Sequence, residues 1–152
     1  MSAPVHSHHS FEEARAQAAE ALGFVASEII TIGSAKFEIP NPSLLDEDQQ
    51  SAVDALDVDM DENWDRHEPV KDGERGALKI PHRKNGVPIN YNRELAKALF
   101  GEQYEAFKAA GGRPNDVALI WSRMNQEMAK RRLADSKSGG SDSDMAAVPD
   151  AD

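Results

Sequence analysis

From Val117 onward the chain repeats apolar residues in a pattern that only one backbone geometry can use. Val117, Ile120, Trp121, Met124 and Met128 stand at i, i+3, i+4, i+7 and i+11. An α-helix gathers residues at this spacing on one side. Pro114 suits the first turn, where its missing N–H is not needed. Lys130, Arg131 and Arg132 stand at the far end, where cations complement the helix dipole. A face this apolar has to be covered, and the remainder of the chain is read for what could cover it.

Upstream, Asn92 is placed to cap a helix from Arg93 to Phe100 with Leu95, Leu99 and Phe100 on its apolar side, and Gly101 ends or bends it. A shorter helix passes through Tyr104 and Phe107 and stops at Gly111-Gly112. Ser43 predicts the N-cap of a helix from Leu44 to about Leu56. Asp46, Glu47 and Asp48 stand in its first turn, and Leu45, Val53 and Leu56 share a face. Ser10 and Glu13 form a capping box for an alanine-rich helix over 11–22, closed by Gly23. Between these helices, Glu28–Ile32 and Lys36–Ile39 flank Gly33-Ser34-Ala35, which reads as a β-hairpin ended by Pro40 and Pro42. An isolated hairpin is marginal in water, so it must pack on a helix or on another chain.

The expected architecture is therefore mainly α: a small helical domain with a short β-hairpin near the N-terminus and disordered termini. Residues 1–9 are read as a structureless N-terminus, 10–135 as the helical domain, and 136–152 as a disordered acidic tail rich in Ser, Gly and Asp. Within the domain, 57–90 reads as an irregular charged arm broken by Pro69, Gly73, Gly76, Pro81, Gly86 and Pro88.

Charge narrows the partners. The 152 residues carry 27 acids against 17 Lys and Arg, a net charge of −10. This argues against a nucleic-acid binder, which grips phosphates with excess cations, and against an anionic membrane surface. No apolar run reaches the length of a membrane helix. With no cysteine, thiolate metal sites and thiol nucleophiles are excluded. The charge is also segregated. Asp46 to Asp65 holds nine acids and no Lys or Arg, whereas Arg75 to Lys97 holds six cations and the single acid Glu94. Such blocks are either solvated faces or pair, within one chain or head-to-tail between copies, and the first reading is favoured.

Candidate chemical sites are few. Asp57 to Glu68 places oxygen ligands at the positions of an EF-hand calcium loop through Asp57, Asp59, Asp61, Asp65 and Glu68. Its sixth position is Glu62 where a Gly is needed, and Pro69 stands where the exit helix should run, so an acidic linker is the favoured reading. His6, His8 and His9 could hold a transition metal only loosely, and His67 and His82 are isolated. Gly111-Gly112-Arg113-Pro114 has the look of an anion-binding turn but lacks P-loop spacing, so it is read as a helix–helix corner. The expectation is no catalytic residue, no metal and no cofactor.

Four stretches in order carry a resemblance. They are Phe37-Glu38-Ile39-Pro40-Asn41-Pro42-Ser43-Leu44-Leu45-Asp46, Ala98-Leu99-Phe100-Gly101-Glu102, Ala109-Ala110-Gly111-Gly112 leading to Ala118-Leu119-Ile120-Trp121, and Arg131-Arg132-Leu133-Ala134-Asp135-Ser136-Lys137-Ser138. Together, over about residues 37–138, the chain resembles the tail assembly chaperones of long-tailed, in particular actinobacterial, bacteriophages. The resemblance implies a mainly helical, non-catalytic protein that self-associates as a homo-oligomer. It implies that the protein coats the tape measure protein, helps recruit major tail protein, acts in the host cytoplasm and is absent from the mature virion. It also implies a longer product made by programmed frameshift near Ser136-Lys137-Ser138. Candidate partner contacts are Leu95, Leu99, Phe100, Phe107, Val117, Ile120, Trp121 and Met124, set against the simpler reading that they form the monomer core. Rival functions are another virion-morphogenesis protein, such as a scaffold or head–tail adaptor, and a calcium-binding interaction protein.

Overall fold

The computed structural model describes Glu13, Ala14, Gln17 and residues 25–147, with side chains of the last helix to Ala134. The N-terminal stretch 1–9 lies outside these residues, as do 148–152 and the helix expected over 11–22, except that Glu13, Ala14 and Gln17 are helical.

The hairpin forms as the alternation predicts. Strand β1 (Ser27–Ile32) pairs antiparallel with β2 (Ala35–Pro40), from Ser27 opposite Pro40 to Ile32 opposite Ala35. Gly33, at φ 60°, supplies the left-handed turn residue between them. Opposed residues share a face, so Ile30, Ile32, Phe37 and Ile39 all point toward the helices. Glu28 lies on that inner face too, and its carboxylate meets the Arg123 guanidinium of the last helix. Asn41, almost fully buried, fastens the hairpin's exit to its entry. Its side chain donates to the Val25 carbonyl (2.9 Å) and accepts from the Ser43 N–H (2.9 Å).

Helix boundaries differ from the expected ones at three places. Ser43 is not a cap of the acidic helix: it lies in a 3-10 turn, Pro42–Leu44, capped by Asn41. Asp46 is the cap instead, with Gln49 completing a capping box, and helix α1 spans Glu47–Asn63. The first seven residues of the expected arm, 57–63, are therefore helical. Pro69 lies six residues past Asn63 and so does not interrupt the i→i−4 ladder that carries α1 through them. Asn90, not Asn92, caps helix α2 (Tyr91–Phe100), accepting from the Arg93 N–H at 3.1 Å. Gly101, at φ 56°, ends α2, and helix α3 (Tyr104–Ala109) follows a 3-10 turn.

Helix α4 runs Pro114–Ala147, so 136–147 is helical where the composition predicts a structureless tail. Propagating an existing helix adds one bond per residue ordered, which costs far less than starting one, so the packed segment from Val117 can carry the ladder into a poor sequence.

The core joins these elements. Helix α2 packs against α1 and α4, and β2 packs against α2 and α4. Phe37, Phe100 and Phe107 meet with ring centroids 4.7–5.9 Å apart, and Tyr104 adds its ring 6.4 Å from Phe107. Each such pair contributes roughly 0.5–1.5 kcal/mol beyond its buried area. Gly112 closes the corner before α4, where a Cβ would lie 2.4 Å from the Phe107 ring.

The arm after α1 has more order than its prolines and glycines suggest. His67 donates to Ala77 (2.8 Å) and Lys79 to Asp65 (3.0 Å). A two-residue hairpin joins β3 (Arg83–Lys84) to β4 (Val87–Pro88) through Asn85-Gly86, both at positive φ. Asn-Gly is the dipeptide a type I′ turn favours.

Candidate partner-binding surface

The residues expected to meet a partner divide into two sets. Leu95, Leu99, Phe100, Phe107, Val117 and Met124 are buried in the core of the single chain. They stand where the monomer-core alternative puts them: within one copy the apolar stripe of α4 and the apolar side of α2 cover each other. Ile120 and Trp121 are partly buried, packed on the rim of that core. Of the eight, these two remain accessible in part.

An open groove runs between α2 and α4. Leu95 and Ala118 contribute to its floor, Trp121 and Tyr91 stand along it, and Asn125 and Gln126 line its polar side. Leu119 also lines the groove and is 70% exposed. The Asn92 amide donates to Asn115 Oδ1 (2.8 Å), which ties the two helices together. No ionised group lines this groove, in a protein of net charge −10. Tyr91 and Asn92 also border a second concavity formed by Ile80, Pro81, His82 and Ile89 of the arm. Ile80 is 86% exposed there. The two concavities form one surface, apolar at intervals and edged by carboxamides, of the composition that protein partners use.

The arm is held under this surface by Trp64. Its ring is buried, 5.2 Å from the His82 ring and 6.3 Å from Tyr91. Burial, and the nearby Asp57 carboxylate, raise the Tyr91 hydroxyl above the usual phenol range.

The stretch Asp57–Glu68, read as an acidic linker with a calcium loop as the rival, begins as helix. Residues 57–63 lie in the last turns of α1, and two of their carboxylates, Asp59 and Asp61, are engaged by different donors. Asp59 accepts from Lys84 (2.8 Å), Asn63 (2.9 Å) and the Trp64 indole (3.0 Å), and these bonds hold its carboxyl down at about 2. Asp61 pairs with Arg66 (3.2 Å) and Arg75 (2.9 Å). Asp65 accepts from the N–H groups of Asn85 (3.0 Å) and Gly86 (2.8 Å). Among the described residues no three His, Cys, Asp or Glu side chains converge as a metal site, and no helix is long and apolar enough to cross a membrane.

Leu119, Ile80 and Tyr91 are not among the candidate contacts expected from the sequence. The available signal for Leu119 was its position two residues before Trp121, on the polar side of the α4 stripe. Comparison with protein-family models, curated proteins and solved structures finds no match.

Proposed function

We propose that this protein is a non-catalytic assembly chaperone of a long-tailed bacteriophage. In this reading it covers the tape measure protein during tail construction, helps bring in major tail protein, acts in the host cytoplasm and leaves before the virion matures. The resemblance over about residues 37–138 supports this reading. The observation that carries it here is the uncharged groove between α2 and α4, with Leu119 exposed on its wall and Trp121 and Tyr91 beside it. A long helical target presents the same kind of apolar face many times. A shallow groove with few polar contacts grips each face weakly, and many copies together give avidity that is easily reversed. The acidic remainder of the surface keeps the coated target soluble through charge repulsion.

Co-expression tests this. A tape measure fragment that precipitates alone is expected to stay soluble with this protein, and to precipitate again with Leu119→Asp, whose side chain is already in water and whose fold is therefore retained. Equal solubility of the fragment with and without the protein, or stoichiometric protein in purified virions, would overturn the reading.

A further inference from the structure

Among the described residues nothing packs on the outward face of α1. Glu47, Ser51, Asp54, Val58 and Glu62 recur on one side, opposite the buried Val53 and Leu56. Val58 is 53% exposed in the middle of this acidic stripe. Among the described residues no cation pairs with Glu47, Asp48, Asp54 or Glu62, whereas Asp59 and Asp61 nearer the C-terminus are answered by Lys84, Arg66 and Arg75. Burial, and after it the neighbouring Asp54 charge, push the Asp57 carboxyl up.

The opposite chemistry stands at the other end of the molecule. Met128 is the last residue of the α4 stripe to be partly covered, and Lys130, Arg131, Arg132 and Leu133 beyond it are all exposed, Leu133 at 67%. None of the three cations has an acidic partner among the described residues. A Lys lies one turn before an exposed Leu on α4, and an Asp lies one turn before an exposed Val on α1. We propose that the basic turn Lys130–Leu133 of one copy docks on the acidic turn Asp54–Val58 of a second copy, a head-to-tail contact between different surfaces. Like charges count against the symmetric alternatives, since α1 on α1 would oppose acids and the ends of α4 would oppose cations. A heterologous contact leaves each pair with one free surface of each kind, so it extends into chains or rings and does not stop at two. The contact is small and weak singly, and it is independent of whether the target is a tape measure protein.

The test is sedimentation of the full chain over a concentration range. Association is expected at low salt and is expected to weaken as salt rises to about 1 M, where screening acts over only about 3 Å. Asp54→Lys and Lys130→Glu, each at an exposed position, are expected to weaken association at least about tenfold, since like charges then meet. Mixing the two variants is expected to restore growth as alternating chains, because the native pair forms at one contact and the doubly reversed pair at the next. The double variant carrying both reversals is expected to regain chain growth. Circular dichroism checks that each variant is folded, and Asp54→Asn, expected to weaken association less than Asp54→Lys, replaces any reversal that is not. A protein that stays monomeric at every concentration, association indifferent to both reversals, or mixed variants that behave as each does alone, would overturn the proposal. Monomeric protein that still keeps a tape measure fragment soluble would sink this contact and leave the chaperone reading standing. The converse result would do the reverse.

Discussion

Asp59 draws three donors onto one partly exposed carboxylate: the Lys84 ammonium, the Asn63 amide and the Trp64 indole. Its acidity follows, at about 2 against an ordinary 3.8. A folded-state value below the unfolded one means that ionised Asp59 favours the fold, fully so above about pH 4. That contribution is lost as pH falls toward 2. Lys84→Met is therefore expected to destabilise the protein at pH 7 and to flatten the loss of stability between pH 4 and 2, read by denaturant titration at each pH. Asp57 works with the opposite sign. Its raised carboxyl costs stability when ionised, so Asp57→Asn is expected to raise the unfolding midpoint at pH 7. A wild-type acid slope in Lys84→Met would show that the Lys84 contact does not set the acidity of Asp59. At Gly112 the expectation is steric. An added methyl meets the Phe107 ring, which cannot swing aside because Phe37, Phe100 and Tyr104 surround it. Gly112→Ala is expected to cost about 1–3 kcal/mol, the usual range for overpacking, measured by thermal or chemical unfolding.

Helix α1 ends against its own electrostatics. Its last turns carry Asp59, Asp61 and Glu62 and no cation, where the dipole is already negative. The cations that answer them come from beyond the helix. Arg66 donates to the Asp61 carbonyl (3.3 Å) and carboxylate, Arg75 reaches the same two groups, and Lys84 closes on Asp59. This is why residues 64–84 fold back beside α1 and do not trail into solvent. Arg66 also donates to the Gly76 carbonyl (2.9 Å), one residue before the His67–Ala77 rung. Gly76 has no room for a side chain, since a Cβ would fall 1.7 Å from the His67 carbonyl oxygen. Arg66→Ala is expected to cost about 1.5–3 kcal/mol, the range for hydrogen bonds to a charged group. Faster amide exchange at His67 and Lys79 would localise the effect, and unchanged exchange there would refute it. The helices and the hairpin were legible because period and caps are local. The arm was not, because its order rests on pairs such as Asp59–Lys84, 25 residues apart in sequence, for which glycine and proline counts give no signal. The Asn85-Gly86 turn was the one local clue.

At the scale of the whole chain, an apolar stripe tells a reader that a face is covered but not by what. Leu95, Val117 and Met124 are buried inside a single copy, so the apolar surface left open lies with residues off the stripe, such as Leu119. The same limit applies at the C-terminal end. Composition reads 136–152 as a tail, yet α4 continues to Ala147. Among the described residues every core side chain lies between Phe37 and Met124, and the stripe's last partly covered member is Met128. Helix that extends past its packed face draws on propensity alone, and Ser138-Gly139-Gly140-Ser141 is a poor source of it. A chain ending at Ala134 is thus expected to unfold within about 2 °C of the full chain, because every described core side chain is retained. It is also expected to lose helical ellipticity in proportion to the missing turns. A lower midpoint would mean that the segment after Ala134 packs on the domain. An undiminished helical signal per molecule would mean that those turns are not helical in solution. Retained head-to-tail association in the same truncated chain would separate the basic turn at Lys130–Leu133 from everything that follows it.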